Sequence, residues 1–331
     1  MRRFQCSCGE AIFFDNQQCL SCAARVGFDP ATLTMAPLEE HGHLTYCDNE
    51  GHGVCNWLRP KKSDSSLCVA CQFNRTIPNL KLPNNIQRWA ALERAKKRLF
   101  YSLFRLGLPL MSSWRNPERG LLFDFVDDAR TQPDAYPDTF ITSGFANGVI
   151  TINSLEADDA ARTAAQIELR ERYRTLLGHF RHESGHYFWM FLADDEQQTA
   201  SFQRIFGDAS NSYRASLERH YAQGPPADWE RSYISAYASS HPLEDWAETW
   251  SHYLLMHDAL ETAHAHGLTT VAPSDCAFSE LISQWQAVSV GLNEMNQSVG
   301  RDDVYPFVIN ARVRDKLSYV DTVVNWLRIP P

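Results

Sequence analysis

The pattern of apolar and polar residues predicts a chain with little strand and much helix. Two short segments, LLFDFV at 121–126 and GVITIN at 148–153, are rich in aromatic and β-branched residues and predict strands. From Ala91 to Leu106 apolar positions recur at helical spacing, which predicts a helix. The same period predicts further helices around 155–194, 197–206, 211–223, 243–264, 275–295 and 312–328.

The first 77 residues differ from the rest of the chain. They contain no long periodic segment, and residues 78–90, PNLKLPNNIQRWA, are typical of a linker. With 331 residues and 44% hydrophobic content, the chain can bury a substantial core, and its length favours two domains. We therefore predict an α+β protein, with a small domain at 1–77 and a larger, mainly helical domain with a short β-sheet at 78–331.

Eight of the nine cysteines fall within the first 71 residues, in two groups. Each group ends in a CxxC pair, and close cysteine pairs separated by a loop are typical of structural four-cysteine zinc sites. We predict two such sites, so the folding of residues 1–77 is expected to depend on zinc. The first site comprises Cys6, Cys8, Cys19 and Cys22, and the second comprises Cys47, Cys55, Cys68 and Cys71.

Other uses of these cysteines remain open at this point. His41, His43 or His52 could replace a thiolate in the second group, and iron binds the same ligands as zinc. Disulfides are the competing interpretation, but the chain begins MRRFQCSCGE, without an apolar signal segment, and has no apolar run that could span a membrane. We therefore expect a cytoplasmic location, which favours metal-bound thiolates. Cys276 is expected to be a partly buried free thiol.

An HExxH string lies inside the predicted helix at 155–194. Residues four apart lie on the same face of a helix, so His182 and His186 can bind one zinc ion while Glu183 points toward its open side. The alternative is that both histidines are hydrogen-bonded residues of a partly buried helix. Gly185 is unfavourable in mid-helix, so we expect a second element to approach the helix closely there.

A catalytic zinc site needs a third protein ligand. The segment 233–256, YISAYASSHPLEDWAETWSHYLLM, carries three acids at a predicted helix start among aromatic residues. We rank Glu244 first as the ligand, then Glu248, then Asp245. Glu244 and Glu248 are four residues apart, so one can bind metal while the other accepts a hydrogen bond from a ligand imidazole. Alternatively, the acids only complement the helix dipole.

HESGH followed by an acidic helix resembles the gluzincin metallopeptidases. The strings HFRHESGHYFW and SAYASSHPLEDWAETWSHYL, together with the cysteine-rich N-terminus, resemble a bacterial family of zinc-binding metallopeptidases that carry an N-terminal zinc-ribbon domain. This resemblance covers the chain from Cys6 to about Ala263. It implies a zincin-like domain with one catalytic zinc, beside two structural zincs in the ribbon domain.

The resemblance also implies a mechanism. Zinc polarises a water molecule and the substrate carbonyl, and Glu183 takes the proton of the water and delivers it to the leaving amine. A donor to the oxyanion is also needed, and Tyr237, His241 and His252 are candidates because they flank the third ligand. Since zincins pair an edge strand with substrate, GVITIN is a candidate edge strand; an ordinary internal strand is equally favoured.

Charge helps to choose among partners. Residues 1–100 carry thirteen Lys and Arg against nine acids, and residues 101–331 carry eighteen against thirty-one, which gives the net charge of −9. The small basic surplus and the acidic body disfavour nucleic acid. We expect a peptide or protein substrate and a protein partner bound through the zinc ribbon. The alternative function is a non-catalytic scaffold that uses its zinc sites to bind protein or nucleic acid.

Overall fold

The computed structural model describes residues 1–132, 140–169 and 174–328. The chain divides into two compact units. The N-terminal unit spans Arg2–Phe180, and the C-terminal unit contains Met1 and the described residues from Arg181 onward. Within the described ranges, no helix is long and apolar enough to cross a membrane. The predicted domain boundary between residues 77 and 78 stays a prediction.

The cysteine-rich segment of the N-terminal unit is built from short antiparallel pairs of strands around a few aromatic rings. The rings of Phe14 and Phe28 lie 4.7 Å apart, and those of Phe28 and Trp57 lie 4.8 Å apart. The paired strands are β1 (Phe4–Gln5) with β2 (Ala11–Ile12), β3 (Val26–Asp29) with β4 (Thr34–Pro37), and β5 (Leu44–Tyr46) with β6 (Leu58–Pro60).

A four-stranded sheet completes the strands of this unit. Its order is β7 (Asn74–Thr76), β8 (Leu122–Val126), β10 (Val149–Asn153) and β9 (Gly144–Ala146). The two predicted strands are confirmed as β8 and β10, which run parallel to each other. Because β10 lies between β8 and β9, GVITIN is an internal strand, and the edge-strand hypothesis is wrong. The sequence did not predict β7 and β9, which have only three residues each.

The helices before the HExxH motif differ in their bounds from the prediction. Helix α1 (Asn85–Arg105) begins six residues early, so the second half of the predicted linker is helical. Trp89 is buried, and its packing stabilises the start of α1. The polar and proline-containing composition of the predicted linker gave no sign of this. The predicted helix at 155–194 is divided into a 3-10 turn (Ser154–Ala157), α2 (Asp159–Leu169) and α3 (Leu176–Ala193). Residues 170–173, which fall within that prediction, lie outside the described residues.

The later helices match the sequence predictions within three residues, and side-chain caps account for several of their starts. Asp195, Ser212 and Asn310 each accept a hydrogen bond from the backbone N–H three residues later. With eight α-helices among the described residues and short sheets, the predicted α+β class is confirmed. These later helices are α4 (Glu196–Phe206), α5 (Tyr213–Gln223), α6 (Pro242–Ala265), α7 (Phe278–Ser298) and α8 (Ala311–Leu327).

Helices α3 and α6 pack closely at Gly185. A Cβ atom at Gly185 would lie 2.9 Å from the Cα of Ala247 and 3.3 Å from the Cβ of Trp250. Two buried indoles span the same contact: Trp246 Nε1 donates to the Gly185 carbonyl at 2.8 Å, and Trp250 Nε1 donates to Ser184 Oγ at 3.0 Å. The expected close approach at Gly185 is confirmed, and it sets the position of the HExxH helix against α6.

We predict that Gly185→Ala destabilises the protein by about 1–3 kcal/mol, because the added methyl group overlaps the backbone of α6. Chemical denaturation followed by circular dichroism measures this loss. Gly291→Ala in α7 is the matched control, since a Cβ there meets nothing within 4 Å. That control should gain up to about 1 kcal/mol from helix propensity. Equal effects of the two substitutions would contradict the close contact.

Candidate metal centre

Helices α3 and α6 bring His182, His186 and Glu244 together in the C-terminal unit. Potential ligand atoms of these three residues all lie within 4.8 Å of one another. His182 Nε2 is 3.0 Å from Glu244 Oε2, and His186 Nε2 is 3.4 Å from Glu244 Oε1. The first-ranked third ligand, Glu244, is therefore the acid that faces both histidines.

Glu248 lies behind the histidine pair and fixes the tautomer of His182. Its Oε1 is 2.7 Å from His182 Nδ1, and its Oε2 accepts a hydrogen bond from Ser235 Oγ at 2.6 Å. Since a carboxylate only accepts hydrogen bonds, the proton of the ring sits on Nδ1, and the lone pair of Nε2 is left for a metal. This is the supporting role that the i,i+4 spacing of Glu244 and Glu248 suggested.

The electrostatics of the cluster suit a cation. Glu244 Oε2 is buried, and His182 Nε2 lies 3.0 Å from it. Burial lowers the pKa of His182, but the adjacent carboxylates of Glu244 and Glu248 outweigh this and raise it well above the ordinary value. The buried carboxylates thus draw a positive charge into the site. A divalent ion between Nε2, Nε2 and a carboxylate oxygen supplies that charge, so the residues fit zinc.

Glu183 lies beside this cluster and is 9% exposed. Burial raises the pKa of its carboxyl group, attraction to His182 and His186 opposes this shift, and repulsion from Glu244 adds to it. A bound cation would act with the histidines and lower the pKa again. Glu183 is therefore close enough to His182, His186 and Glu244 to feel their charges, but it is not one of the three residues whose potential ligand atoms cluster.

Asp245, ranked third as a ligand, lies on another face of α6. Its Oδ2 is 2.6 Å from the Nζ of Lys316 in α8, and both side chains are buried. Lys316 also donates to the Ser232 carbonyl and lies 4.3 Å from the centre of the Tyr233 ring. Asp245 therefore joins α6 to α8 and is not grouped with the histidines.

The three residues considered as oxyanion donors have different surroundings. The ring of Tyr237 lies 6.0 Å from that of His182. His241 caps α6, because its Nδ1 accepts from Leu243 N at 3.1 Å and its Nε2 donates to the Asn211 carbonyl at 3.1 Å. His252 is buried, with Nδ1 2.9 Å from Tyr305 Oη. Among the described residues, both ring nitrogens of His241 and Nδ1 of His252 have partners, whereas Tyr237 Oη has none.

Tyr213 is a residue of the site that sequence analysis missed. Its Oη donates to Glu244 Oε1 at 2.5 Å, and burial together with Glu244 raises the pKa of the phenol, which stays protonated. The residue opens α5, after the capping Ser212, and is 41% exposed. It lies far from both motifs in sequence, and no local pattern marked it.

The eight N-terminal cysteines form the two predicted groups. Neighbouring sulfurs lie 3.6–3.8 Å apart, as in the pairs Cys6–Cys22, Cys8–Cys19, Cys55–Cys68 and Cys55–Cys71. A tetrahedron with Zn–S distances of about 2.3 Å has edges of about 3.8 Å, whereas a disulfide requires about 2.05 Å. The spacing fits two four-thiolate zinc sites. Cys8 and Cys22 are exposed in the first group, and all four cysteines of the second are buried.

The histidines near the second group and the ninth cysteine lie outside these sites. His41 and His43 stack edge to face with each other, and His52 lies against Trp89. Neither four-cysteine group includes a histidine. Cys276 is partly buried and lies 3.7 Å from the Pro273 carbonyl, as expected for a free thiol.

Helix α1 supplies three buried charges to the second cysteine site, which the sequence did not reveal. Glu93 Oε2 lies 3.7 Å from Cys71 Sγ, and Lys96 and Lys97 pair with Glu93 at 2.9 and 3.6 Å. Lys97 Nζ also donates to the Val54 carbonyl at 2.8 Å. Burial lowers the pKa of Lys97, but nearby Cys55 and Glu93 outweigh this and raise it, so the ammonium group stays charged.

Zn²⁺ with four thiolates has a net charge of −2, and the two lysines less Glu93 contribute +1. Helix α1 therefore halves the charge that a filled second site would bury. This arrangement meets the requirement that buried charges be compensated by close partners.

Comparison with known proteins agrees with these sites. Residues 85–323 match a family model described as "Putative zinc-binding metallo-peptidase", and residues 3–82 match a zinc-ribbon domain. The chain belongs to this metallopeptidase family. An uncharacterized protein of Mycobacterium bovis and one of Mycobacterium tuberculosis are each 37% identical to the chain, over 98% of this chain and 96% of their own length. No solved structure matches the chain.

Membership of the family confirms the predicted resemblance to zinc-binding metallopeptidases with an N-terminal zinc-ribbon domain. The two family models and the two four-cysteine groups together identify zinc as the metal of the chain.

We predict that Glu248→Ala weakens zinc binding at the HExxH site by about 10- to 100-fold, because His182 loses the partner that fixes its tautomer. Competition with a chelator of known affinity measures the change. Glu294→Ala, at an exposed position of α7, is the control and should leave zinc affinity unchanged. Equal affinity in the Glu248 and Glu294 variants would contradict the supporting role.

We predict that Lys97→Met speeds zinc release from the second cysteine site by about tenfold or more, because a buried site loses a compensating charge. Release to a colorimetric chelator, followed over time, measures the effect, and circular dichroism checks that the variant is folded. Lys62→Met, at an exposed position, is the control. Unchanged release from Lys97→Met would show that the lysine does not stabilise the filled site.

Proposed function

We propose that the chain is a zinc-dependent metallopeptidase that hydrolyses peptide or related amide bonds. The observation that carries this proposal is the position of Glu183 beside a cluster of two histidines and one glutamate. A purely structural zinc site needs no additional carboxylate, whereas hydrolysis needs a base. The family to which the chain belongs supports the proposal.

His182, His186 and Glu244 would hold the ion, as in the two-His, one-Glu site of gluzincins. Zinc held there supplies a Lewis acid that polarises a carbonyl and lowers the pKa of water. Three protein ligands leave a position for water or substrate, which is the arrangement of catalytic sites. Glu248 and Ser235 orient His182 through the hydrogen bonds already described.

Glu183 acts first as a base and then as an acid in this proposal. As a carboxylate it takes a proton from the attacking water, and it then delivers that proton to the amine that leaves. Burial of Glu183 among charged groups keeps bulk water from competing for this proton. One side chain thus performs both proton transfers.

A phenol is the best placed donor for the oxyanion. Tyr237 is the first choice, since its ring lies 6.0 Å from that of His182. Tyr213 is the second choice, because its single O–H already donates to Glu244 and would have to leave that bond to reach an oxyanion. His241 ranks below both tyrosines because both of its ring nitrogens are engaged by neighbours, and His252 ranks below them because it is buried with Nδ1 against Tyr305 Oη. Donation of a hydrogen bond to an oxyanion is the main contribution expected of such a residue.

The cysteine sites have a separate role in this proposal. Their zinc ions are structural, since four thiolates leave no open position for substrate. Together with the HExxH site this makes one catalytic and two structural zincs. Cysteines that bind metal as thiolates favour a reducing compartment, so we propose that the protein acts in the cytoplasm. We also propose that its zinc ribbon contacts a protein partner.

Glu183→Gln tests the proposal. The variant should lose at least about a thousandfold in kcat because it lacks the base, while its zinc content per chain equals that of the wild type. Mass spectrometry of a peptide library measures cleavage, and elemental analysis measures zinc. The control is the double variant His182→Ala, His186→Ala, which should lose one zinc ion. Cleavage by Glu183→Gln at the wild-type rate, or no cleavage by the zinc-replete wild type, would contradict the proposal.

A further inference from the structure

A cavity of about 450 Å³ opens in the C-terminal unit, and the residues that line it include His241 and Pro242, which precede the proposed metal ligand Glu244 in the chain. It lies between α5 and the 3-10 turn Tyr237–Ser240, which leads into α6. On one side α5 contributes the exposed Ala215 and Arg219 and the buried Ser216, and on the other side the turn contributes the buried Ala238 and Ser240. The polar side chains that line the cavity include Ser212, Ser216, Arg219, Tyr233, Ser240 and His241.

The buried side of the cavity holds a hydroxyl group without a partner. Ser240 is 6% exposed, and its Oγ makes no hydrogen bond within the described chain. The hydroxyls of the other lining serines are used: Ser212 Oγ accepts from Ala215 N, Ser216 Oγ accepts from Arg219, and Ser239 Oγ donates to the Ala236 carbonyl. A buried hydroxyl that lacks a partner is uncommon in a folded protein, so Ser240 indicates a polar ligand.

The exposed side carries a cation that no acid neutralises. Among the described residues, the side chain of Arg219 has one hydrogen-bond partner, Ser216 Oγ at 3.3 Å, and no carboxylate partner. Arg214, one turn earlier on α5, differs because it pairs with Glu218 at 2.8 Å. No Asp or Glu is among the residues that line the cavity. Four of the five N–H donors of Arg219 are therefore free to bind an anion.

The charges behind the cavity wall are largely compensated, since the carboxylate of Glu244 lies against His182 and His186. Tyr233 lies on Lys316, whose charge is matched by Asp245, and Arg312 acts on Tyr233 from another side. His241 is held by Nδ1, which accepts a hydrogen bond from Leu243 N, and by Nε2, which donates to the Asn211 carbonyl. A guanidinium group and an unpaired hydroxyl, with no Asp or Glu among the described lining residues, match a carboxylate, which accepts bidentate hydrogen bonds from Arg.

We propose that this cavity is a substrate subsite for a carboxylate group of the peptide, a proposal that rests on the metallopeptidase function above. Arg219 binds the carboxylate, and Ser240 donates a hydrogen bond to it. Tyr213 connects the subsite to the metal centre, because its ring lies 5.1 Å from that of His241 and its Oη contacts Glu244. The carboxylate is either that of an acidic side chain or that of the C-terminus of the peptide.

The test compares three peptide mixtures of equal length that differ in one group. The first contains a central Glu and has an amidated C-terminus, the second replaces Glu with Gln, and the third is the Gln mixture with a free C-terminal carboxylate. Equilibrium dialysis with mass spectrometry measures binding to the zinc-loaded full chain in a Glu183→Gln background, so that no peptide is consumed. The variants Arg219→Met, Arg214→Met and Ser240→Ala are compared in that background.

We expect one carboxylate mixture to bind about tenfold more tightly than the amidated Gln mixture, as a charge-assisted hydrogen bond provides. The preferred mixture identifies the source of the carboxylate. Arg219→Met should abolish the preference, Ser240→Ala should reduce it several-fold, and Arg214→Met should retain it. Equal binding of all three mixtures, or equal behaviour of Arg219→Met and Arg214→Met, would overturn the subsite.

Turnover of the same mixtures by the chain with Glu183 intact separates this proposal from the proposed function. Cleavage without a preference for carboxylate would overturn the subsite and leave the metallopeptidase function standing. A preference in binding that depends on Arg219, with no cleavage of any mixture, would support the subsite and overturn hydrolysis.

Discussion

The close contact between α3 and α6 at Gly185 is the constraint on which the metal centre depends. The absence of a side chain lets the two helices approach until Trp246 and Trp250 donate hydrogen bonds to Gly185 and Ser184. These bonds fix the helices in translation and rotation. The same register places Glu244 opposite both histidines and Glu248 behind His182. The geometry of the site is therefore set by packing that involves none of its ligands.

Charge compensation is the second constraint, and the two units meet it in different ways. In the C-terminal unit, carboxylates are buried beside histidines, an arrangement that calls for a divalent cation. In the N-terminal unit a filled cysteine site carries excess negative charge. Helix α1 partly neutralises this charge with two lysines that pair with Glu93. Both solutions follow from the high free energy of an uncompensated charge in the interior of a protein.

Much of the fold and of the site could be predicted from sequence because the relevant signals are local. The spacing of His182 and His186, the CxxC pairs and the periodicity of the long helices all depend on residues close together in the chain. Tyr213 and Lys97 could not be predicted, since each acts on a partner that only tertiary structure brings near. GVITIN illustrates the same limit. Its composition predicts a strand, but its place inside the sheet depends on β9, which is too short to leave a pattern.

The lysines of α1 also bear on how such a chain can change during evolution. The zinc-ribbon match ends at residue 82 and the metallopeptidase match begins at residue 85, a division at which a ribbon could be exchanged as a cassette. Three charged residues of α1 lie beyond that division but belong to the surroundings of the second cysteine site. Glu93 contacts Cys71, Lys97 donates to the Val54 carbonyl, and Lys96 pairs with Glu93. A ribbon acquired from a relative would need an α1 with matching charges. The second cysteine site therefore depends on both sides of that division: the ribbon supplies its thiolates, and the first helix of the metallopeptidase region supplies their compensating charges.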